Sequence, residues 1–398
     1  MSKRMHRRMR RANFPNSTQI HLLLGFAAVV CYHAGCMIRK LTVEGVTVFP
    51  ERESFSFVPG VNIIVGGNDC GKSHLMKLCF AVCKWSHGGA TRDLPDTWAE
   101  EKRLRKDLLR VFGTSELTAV TSRSVKDCTA AVKASLEGEK APLGTADVEF
   151  TFHAGREEDG LKIATLPDRF LHENAVFIPP REILSIYPCY MQAGKRYPEL
   201  LDSASWELCR ALESEPQEQP AGAIHQAIRL VERMLSGHLM RINGHFYLHR
   251  HAQEPLELNL IAEGFKRIGT LGLLLGNGTV HAGTTLFWDE PEMNINATHL
   301  PLLVNIMMAL GRAGVQLILT THSLFLLREL TIQLAAPENR GVSRRFTGLQ
   351  LQARGREGVR VSAGESMNDL EYIDSLDAEM EQADRYLAMH LEDTEEEG

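Results

Sequence analysis

Residues 66–73 read GGNDCGKS, a complete match to the phosphate-loop (Walker A) pattern G-x-x-x-x-G-K-[ST]. An apolar run at residues 61–65 precedes the loop and is typical of a buried strand, and residues 74–84 continue as a helix. Glycines let the backbone curl so that successive N–H groups and the helix start face an anion. The loop therefore predicts binding of a nucleoside triphosphate. The nucleotide-binding residues predicted here are Gly66, Gly67, Asn68, Asp69, Cys70, Gly71, Lys72 and Ser73.

The chemistry of the loop assigns separate roles to its last two residues. The Lys72 ammonium is expected to reach the β- and γ-phosphates, and the Ser73 hydroxyl is expected to occupy one Mg²⁺ position. Cys70 lies at a helix N-terminus, which favours a thiolate and predicts a lowered pKa. Cys70 is then either an oxidant-sensitive thiol or a small filler residue.

Composition indicates a globular protein of considerable size. The 398 residues are 44% hydrophobic and 24% charged, which suits two lobes or one large domain with an insertion. The eight cysteines show no C-x-x-C pair, a pattern typical of free thiols in the cytoplasm. Cys79, Cys83 and His87 share one predicted helix face and indicate either a metal site or a packing face. We favour the packing face, because the sequence shows no fourth ligand.

The first 36 residues differ from the rest of the chain. Residues 1–11 carry six basic residues and no acid, and the apolar residues 22–32 follow, as in a signal peptide. A phosphate loop requires intracellular ATP, so we favour the alternative that Met37 is the biological start. Residues 37–398 then carry a net charge of −12, without the basic balance typical of nucleic-acid binding. A basic cluster at residues 102–110 is either a DNA contact or a solvated helix face.

Two later strands predict the rest of a hydrolytic site. The apolar residues 284–288 end in Asp289 and Glu290, and residues 315–321 end at His322. Asp289 is expected to support Mg²⁺, and Glu290 to act as general base on the attacking water. His322 is expected at the carboxyl end of a parallel strand, where ligands gather, as a γ-phosphate sensor. The predicted catalytic residues are Lys72, Glu290 and His322, and the predicted metal ligands are Ser73 and Asp289.

Local patterns place further elements along the chain. Asn243-Gly244 is a strong hairpin signal, and Pro179-Pro180 ends the strand before it. We predict strands at 38–48, 54–57, 148–152, 161–164, 175–178, 239–242 and 245–248, a charged helical region at 93–138, and helices at 197–213, 223–237 and 369–387.

The order GGNDCGKS, LFWDEPEMN and LTTHS resembles the ABC-class ATPases of the RecF, SMC and OLD kind (AAA-15 or AAA-21) over nearly all of residues 37–330. The resemblance implies a P-loop NTPase of the ABC-ATPase type, an α/β fold whose mixed sheet has a β-rich N-terminal part and a helical insertion. It implies a signature helix opened by Glu263 and Gly264, although residues 261–267 depart from LSGGQ. Residues 176–182 resemble the lead into a Q-loop but hold no glutamine, so Arg181 or Glu182 would substitute.

The resemblance also implies an organisation and a mechanism. We expect an N-terminal extension (1–36) outside the folded domain, a first ATPase lobe with Walker A (37–92), an insertion (93–255), a second lobe with the signature-like helix, Walker B and His322 (256–350), and a C-terminal segment with an acidic tail (351–398). Two chains would pack head to tail as a homodimer, trapping two Mg·ATP between residues 66–73 of one subunit and Glu263-Gly264 of the other.

Two biological roles fit these expectations. About 75 residues follow His322, too few for the Toprim nuclease domain of OLD proteins, so a nuclease would be a separate partner. Stand-alone ATPases of this kind resemble the ATPase subunits of anti-phage systems such as Septu, in which nucleotide switching controls an effector. The alternative is a RecF- or SMC-like clamp that closes on DNA. The sequence shows no coupling membrane segment, and the amphipathic C-terminal helix would contact a partner, a second copy or its own core.

Overall fold

The computed structural model describes residues 37–89, 96–124, 128–137, 145–153, 160–167, 170, 174–197, 201–217, 222–250, 252–351 and 358–396. The predicted N-terminal extension lies outside these ranges. The described strands are β1 (Met37–Glu44), β2 (Glu53–Ser56), β3 (Val61–Gly66), β4 (Thr129–Glu137), β5 (Thr145–His153), β6 (Leu161–Thr165), β7 (Ala175–Ile178), β8 (His238–Ile242), β9 (His245–His249), β10 (Leu256–Glu257), β11 (Thr285–Asp289), β12 (Gln316–Thr321), β13 (Arg344–Leu351) and β14 (Val359–Gly364). The helices are α1 (Lys72–Gly89), α2 (Thr97–Phe112), α3 (Tyr187–Arg196), α4 (Ser203–Ala211), α5 (His225–Leu235), α6 (Glu263–Gly276), α7 (Leu300–Arg312), α8 (Leu324–Ala335) and α9 (Asp374–Glu396).

A six-stranded sheet organises the chain, with strand order β14-β13-β3-β12-β11-β7. Strands β13, β3, β12, β11 and β7 are parallel, and β14 is an antiparallel edge. Every residue of β3, β11 and β12 is buried, as expected for parallel strands covered on both faces. The register pairs Asp289 with Thr320 and Thr321 with Val65, so the carboxyl ends of these three strands lie side by side.

The central sheet separates two hydrophobic cores because alternate side chains point to opposite faces. Ile63 and Leu317 pack with α5, α6, α7 and α8 in one core. Ile64 and Ile318 pack with α1, α2 and the second sheet in the other. This second sheet is antiparallel, with strand order β2-β1-β4-β5-β6. It pairs β1 with β2 and β5 with β6, which lie where the sequence predicts strands at 38–48, 54–57, 148–152 and 161–164.

Two predicted elements need correction. Among its described residues, the region 93–138 is α-helical only over α2, because a short 3-10 turn and then β4 follow, and β4 has alternating burial in which Ala130, Val132, Ala134 and Leu136 point inward. The helix predicted over 197–213 is shorter, since Asp202 caps its start by accepting a hydrogen bond from the Ser205 N–H. The Asn243-Gly244 hairpin is confirmed as the connection between β8 and β9.

The C-terminal helix combines a docked start with an exposed continuation. Ile373 is buried just before α9, and Leu376 packs partly buried against the same core. Further along, Met380 and Leu387 are 61% and 59% exposed. The early part therefore docks on its own core, as one of the expectations proposed. No helix among the described residues combines the length and apolar character needed to span a membrane.

Candidate functional site

The phosphate loop joins β3 to α1 at the carboxyl edge of the central sheet. Asp69 and Gly71 have positive φ angles of 61° and 88°, which turn the loop back on itself. A Cβ at Gly71 would lie 2.4 Å from Val48 Cγ2, so only glycine fits this close approach. The Lys72 ammonium is buried and donates to the carbonyl oxygens of Gly66 and Gly67 at 2.8 and 2.6 Å. Asn68 and Asp69 are exposed at the loop tip.

The first pair of site residues consists of Ser73, the last residue of the phosphate loop, and Asp289 at the end of β11. The Ser73 hydroxyl donates to Asp289 Oδ2 at 2.8 Å, and the other carboxylate oxygen accepts from the Thr320 hydroxyl. Asp289 is 3% exposed, and these two bonds hold both of its side-chain oxygens at the end of β11. A hydroxyl and one carboxylate are oxygen ligands of the kind that Mg²⁺ takes together with substrate phosphates. Within the described residues no group of three or more His, Cys, Asp or Glu could hold a metal alone.

The second pair consists of Glu290 and His322, one residue beyond the ends of β11 and β12. His322 Nδ1 donates to Glu290 Oε1 at 2.9 Å. The Glu290 side chain is 17% exposed and the His322 side chain 52%, so water reaches the pair. Glu290 has a φ of 47°, a left-handed conformation that is unfavourable for a residue with a Cβ. Its N–H donates to Thr320 Oγ1 at 3.1 Å, which helps hold this conformation.

Arg267 supports both pairs from α6, a role that sequence reasoning missed. Its guanidinium is 2% exposed and donates to the carbonyl oxygens of Asp289 at 3.0 Å, Glu290 at 2.9 Å and Met293 at 3.1 Å. A longer bond of 3.5 Å reaches Pro179 O after β7. Burial lowers the pKa of Arg267, while the nearby carboxylates of Glu292, Asp289 and Glu290 oppose this shift. In the sequence, the one signal of such a clamp is a basic residue in the first half of a largely apolar helix, and Lys266 beside it carries the same signal.

Glu292 is a further acidic residue of the turn after β11. It accepts a hydrogen bond from the Thr321 hydroxyl at 2.5 Å, which joins the ends of β11 and β12 a second time. Its other oxygen has no hydrogen-bond partner among the described residues. Burial raises the pKa of Glu292, because its charged form is poorly solvated there.

The signature-like residues lie at the start of α6. Glu263 is exposed and accepts a hydrogen bond from Asn294 Nδ2 at 2.8 Å. Gly264 is buried, and a Cβ there would lie 2.2 Å from Asn294 O. Glycine at this position therefore permits close contact between α6 and the turn that follows Glu290.

The two Q-loop candidates make local contacts. Arg181 is exposed and donates to the Tyr190 hydroxyl at 3.1 Å. Glu182 accepts from the N–H groups of Leu184 and Ser185, which closes the turn after β7. The structure places both residues at the carboxyl end of β7, the edge strand next to β11.

The lowered pKa predicted for Cys70 is wrong, and the structure favours the alternative of a small filler residue. Its side chain is 1% exposed and donates to Gly67 O at 3.0 Å. Burial raises the pKa of Cys70 and outweighs the opposing effect of Lys72, so the thiol stays protonated near neutral pH. Burial also raises the pKa of Cys79 and Cys83, which pack in the core beneath α1.

One protein family matches the part of the chain that contains three of the site residues. The family described as "AAA domain, putative AbiEii toxin, Type IV TA system" matches residues 150–328. This range includes Asp289, Glu290 and His322 but not the phosphate loop, and it covers less than half of the chain. A search of curated proteins found no match.

Solved structures of SMC head domains show low similarity over most of the chain. An Smc head domain with an extended coiled coil bound to the C-terminal domain of ScpA, from Pyrococcus furiosus, is 12% identical, with 88% of this chain and 99% of that chain covered and a TM-score of 0.49. An SMC head domain from Thermotoga maritima is 14% identical, with coverages of 82% and 99% and a TM-score of 0.43. These values do not show a shared function.

The class follows from the strand order and the residues at the strand ends. A parallel sheet with the phosphate loop after β3, acidic residues after β11 and a histidine after β12, beside an antiparallel sheet, defines a mixed α/β P-loop NTPase of the ABC type. The fold class expected from the sequence is confirmed.

Proposed function

We propose that this chain binds Mg·ATP at residues 66–73 and hydrolyses it. The observation that carries the proposal is the meeting of two pairs, Ser73 with Asp289 and Glu290 with His322, at neighbouring strand ends next to the loop. One pair offers oxygen ligands for a divalent cation. The other offers a carboxylate base in contact with an oriented imidazole and open to water.

Each side chain then has a defined task. The loop N–H groups and Lys72 bind the phosphates, and Ser73 and Asp289 would hold Mg²⁺, which neutralises charge on the phosphates. Glu290 accepts the proton of the attacking water, and His322 orients Glu290 and contacts the terminal phosphate. Arg267 fixes the backbone carbonyl of Glu290 and so acts as a positioning residue.

Nucleotide binding is tested directly with Lys72→Ala. Removing the ammonium should weaken Mg·ATP binding by about tenfold or more, because hydrogen bonds to charged groups contribute about 1.5–3 kcal/mol. Lys77→Ala, further along α1, is the matched control and should leave the affinity unchanged within about twofold. Isothermal titration of the full chain measures both. Equal binding by wild type and Lys72→Ala would refute the proposed site.

A head-to-tail homodimer completes the site in this proposal. Glu263 is exposed at the start of α6, where it is accessible to the phosphate loop of a second copy. Closure around two Mg·ATP would then supply the interactions that a monomer lacks. Turnover per subunit should rise with protein concentration. A constant rate per subunit, down to dilutions at which light scattering shows monomers, would contradict the dimer.

We propose that nucleotide-driven closure controls a partner effector, such as a separate nuclease in anti-phage defence, in the cytoplasm. The description of the matched family names an AbiEii toxin of a type IV toxin–antitoxin system, which supports a role in bacterial conflict. Co-expression with each protein encoded next to this chain tests the role: one of them should co-purify with it and show a nuclease activity that ATP changes with wild type but not with Lys72→Ala. Identical nuclease activity with both variants would contradict it.

The second candidate function is a RecF- or SMC-like clamp on DNA. Exposed Lys102 and Lys106 on α2 favour it, although Arg103 of the same cluster is engaged with Glu100 and with the carbonyl of Trp85. A clamp should show DNA-stimulated hydrolysis that weakens steeply as salt rises. If duplex DNA at low salt does not change the rate of ATP hydrolysis, the clamp function is excluded and control of an effector is the remaining proposal.

A further inference from the structure

The C-terminal helix places a carboxylate on the phosphate loop. Asp374, the first residue of α9, accepts the Gly67 N–H through Oδ2 at 2.9 Å. An open pocket of about 230 Å³ lies here, and Gly67, Asn68, His322 and Asp374 are among the residues that line it. None of the motifs found in the sequence includes Asp374, which lies more than 300 residues from the loop.

The Asp374 carboxylate accepts a hydrogen bond from a backbone N–H that is suited to binding a phosphate. The N–H groups of a phosphate loop attract anions, and a carboxylate is an anion with two acceptor oxygens. The contact also depends on glycine, because a Cβ at Gly67 would lie 2.5 Å from Asp374 Oδ2. The N–H of Gly67 is thus satisfied by a side chain of the same protein.

Packing holds Asp374 in this position. Ile373 is 6% exposed in the core beneath the loop, and its carbonyl accepts the N–H groups of Leu376 and Asp377. One turn further on, Glu379 forms two hydrogen bonds with Arg328 of α8, at 3.2 and 2.5 Å. Helix α8 begins directly after His322 and Ser323, so α9 is joined to both the phosphate loop and the strand end that carries His322.

We propose that Asp374 is an affinity-determining residue of the nucleotide site, which competes with a phosphate group for the Gly67 N–H. A negatively charged ligand at the loop repels this carboxylate, so binding requires the first turn of α9 to shift away. The position of α9 then reports whether the loop is occupied. The inference rests on the proposed binding of ATP at residues 66–73.

The test uses the full chain and two isosteric variants in the first turn of α9. Asp374→Asn removes the competing charge, and Asp377→Asn removes an equal charge from the same turn without touching the loop. Two unit charges about 4 Å apart change an equilibrium constant by about fivefold even in water. Isothermal titration should therefore show Mg·ATP binding about fivefold tighter in Asp374→Asn and unchanged in Asp377→Asn.

Hydrogen exchange supplies a readout that needs no variant. Pyrophosphate added to wild type should speed exchange in the first turn of α9 while protecting residues 66–73. Unchanged or weaker ATP binding by Asp374→Asn would show that Asp374 supports the loop rather than competing with phosphate, and undiminished protection of α9 would exclude its movement. A wild-type protein that binds neither ATP nor pyrophosphate would overturn both this inference and the proposed function. If wild type binds ATP but the variants do not behave as expected, only the role of Asp374 is refuted.

Discussion

Replacing Arg267 tests how the site is held together. In Arg267→Met the apolar stem is largely kept, but the carbonyl oxygens of Asp289, Glu290 and Met293 lose a buried charged donor. Each lost bond costs about 1–2 kcal/mol, which gives about 3–6 kcal/mol for three bonds. Burial lowers the pKa of Arg267, which shows that burying its charge is unfavourable. Removing the guanidinium therefore recovers about 1–2 kcal/mol of the lost stability. The net destabilisation expected is therefore about 2–4 kcal/mol.

Thermal unfolding measures the change. For a chain of 398 residues, 2–4 kcal/mol corresponds to a decrease in Tm of about 2–5 °C. Lys266→Met is the matched control, because Lys266 is also buried on α6 but makes one described bond, to Ser185 Oγ at 3.0 Å. Because it loses one described bond only, it should lower Tm by no more than about 1–2 °C. If Arg267→Met and Lys266→Met shift Tm equally, the guanidinium does not act as the clamp described.

Two further predictions concern ionisable groups near the loop. Burial raises the pKa of Glu292 above 4.5, so above about pH 4.5 the folded protein retains a proton that the unfolded chain releases. The contribution of Glu292 to the free energy of unfolding therefore falls as pH rises above about 4.5. Glu292→Gln should flatten this part of the profile of Tm against pH, and an unchanged slope would contradict the raised pKa. Because burial also raises the pKa of Cys70, iodoacetamide at pH 7.5 should modify exposed Cys189 before Cys70 and leave ATP binding intact. Loss of binding in step with alkylation of Cys70, detected by mass spectrometry, would contradict this.

The sequence predicts the elements that carry strong local signals. The phosphate loop, the strands before Asp289 and His322, and the Asn243-Gly244 hairpin all combine a short pattern with a distinct periodicity or turn residue. The region that contains β4 was predicted as helical because charged residues dominate it, and its alternation of small apolar residues at Ala130 and Ala134 is a weak signal.

The missing parts of the site depend on contacts between distant residues. Arg267 donates to carbonyls more than 20 residues away, and backbone carbonyls leave no trace in a sequence. Asp374 meets Gly67 across more than 300 residues, through a helix whose docking is decided by Ile373. The pKa of Cys70 likewise depends on burial, which the helix-terminus argument alone does not include.

Single-turnover hydrolysis by Glu290→Gln tests the central claim most directly. The substitution keeps the size of the side chain and its contact with His322 but removes the carboxylate that accepts the proton of the attacking water. Mg·ATP binding should stay within about threefold of wild type, while the rate of phosphate release should fall by about 10²-fold or more, the typical contribution of a general base. Phosphate release at the wild-type rate would show that Glu290 is not the base and that the site assembled at these strand ends does not hydrolyse ATP as described.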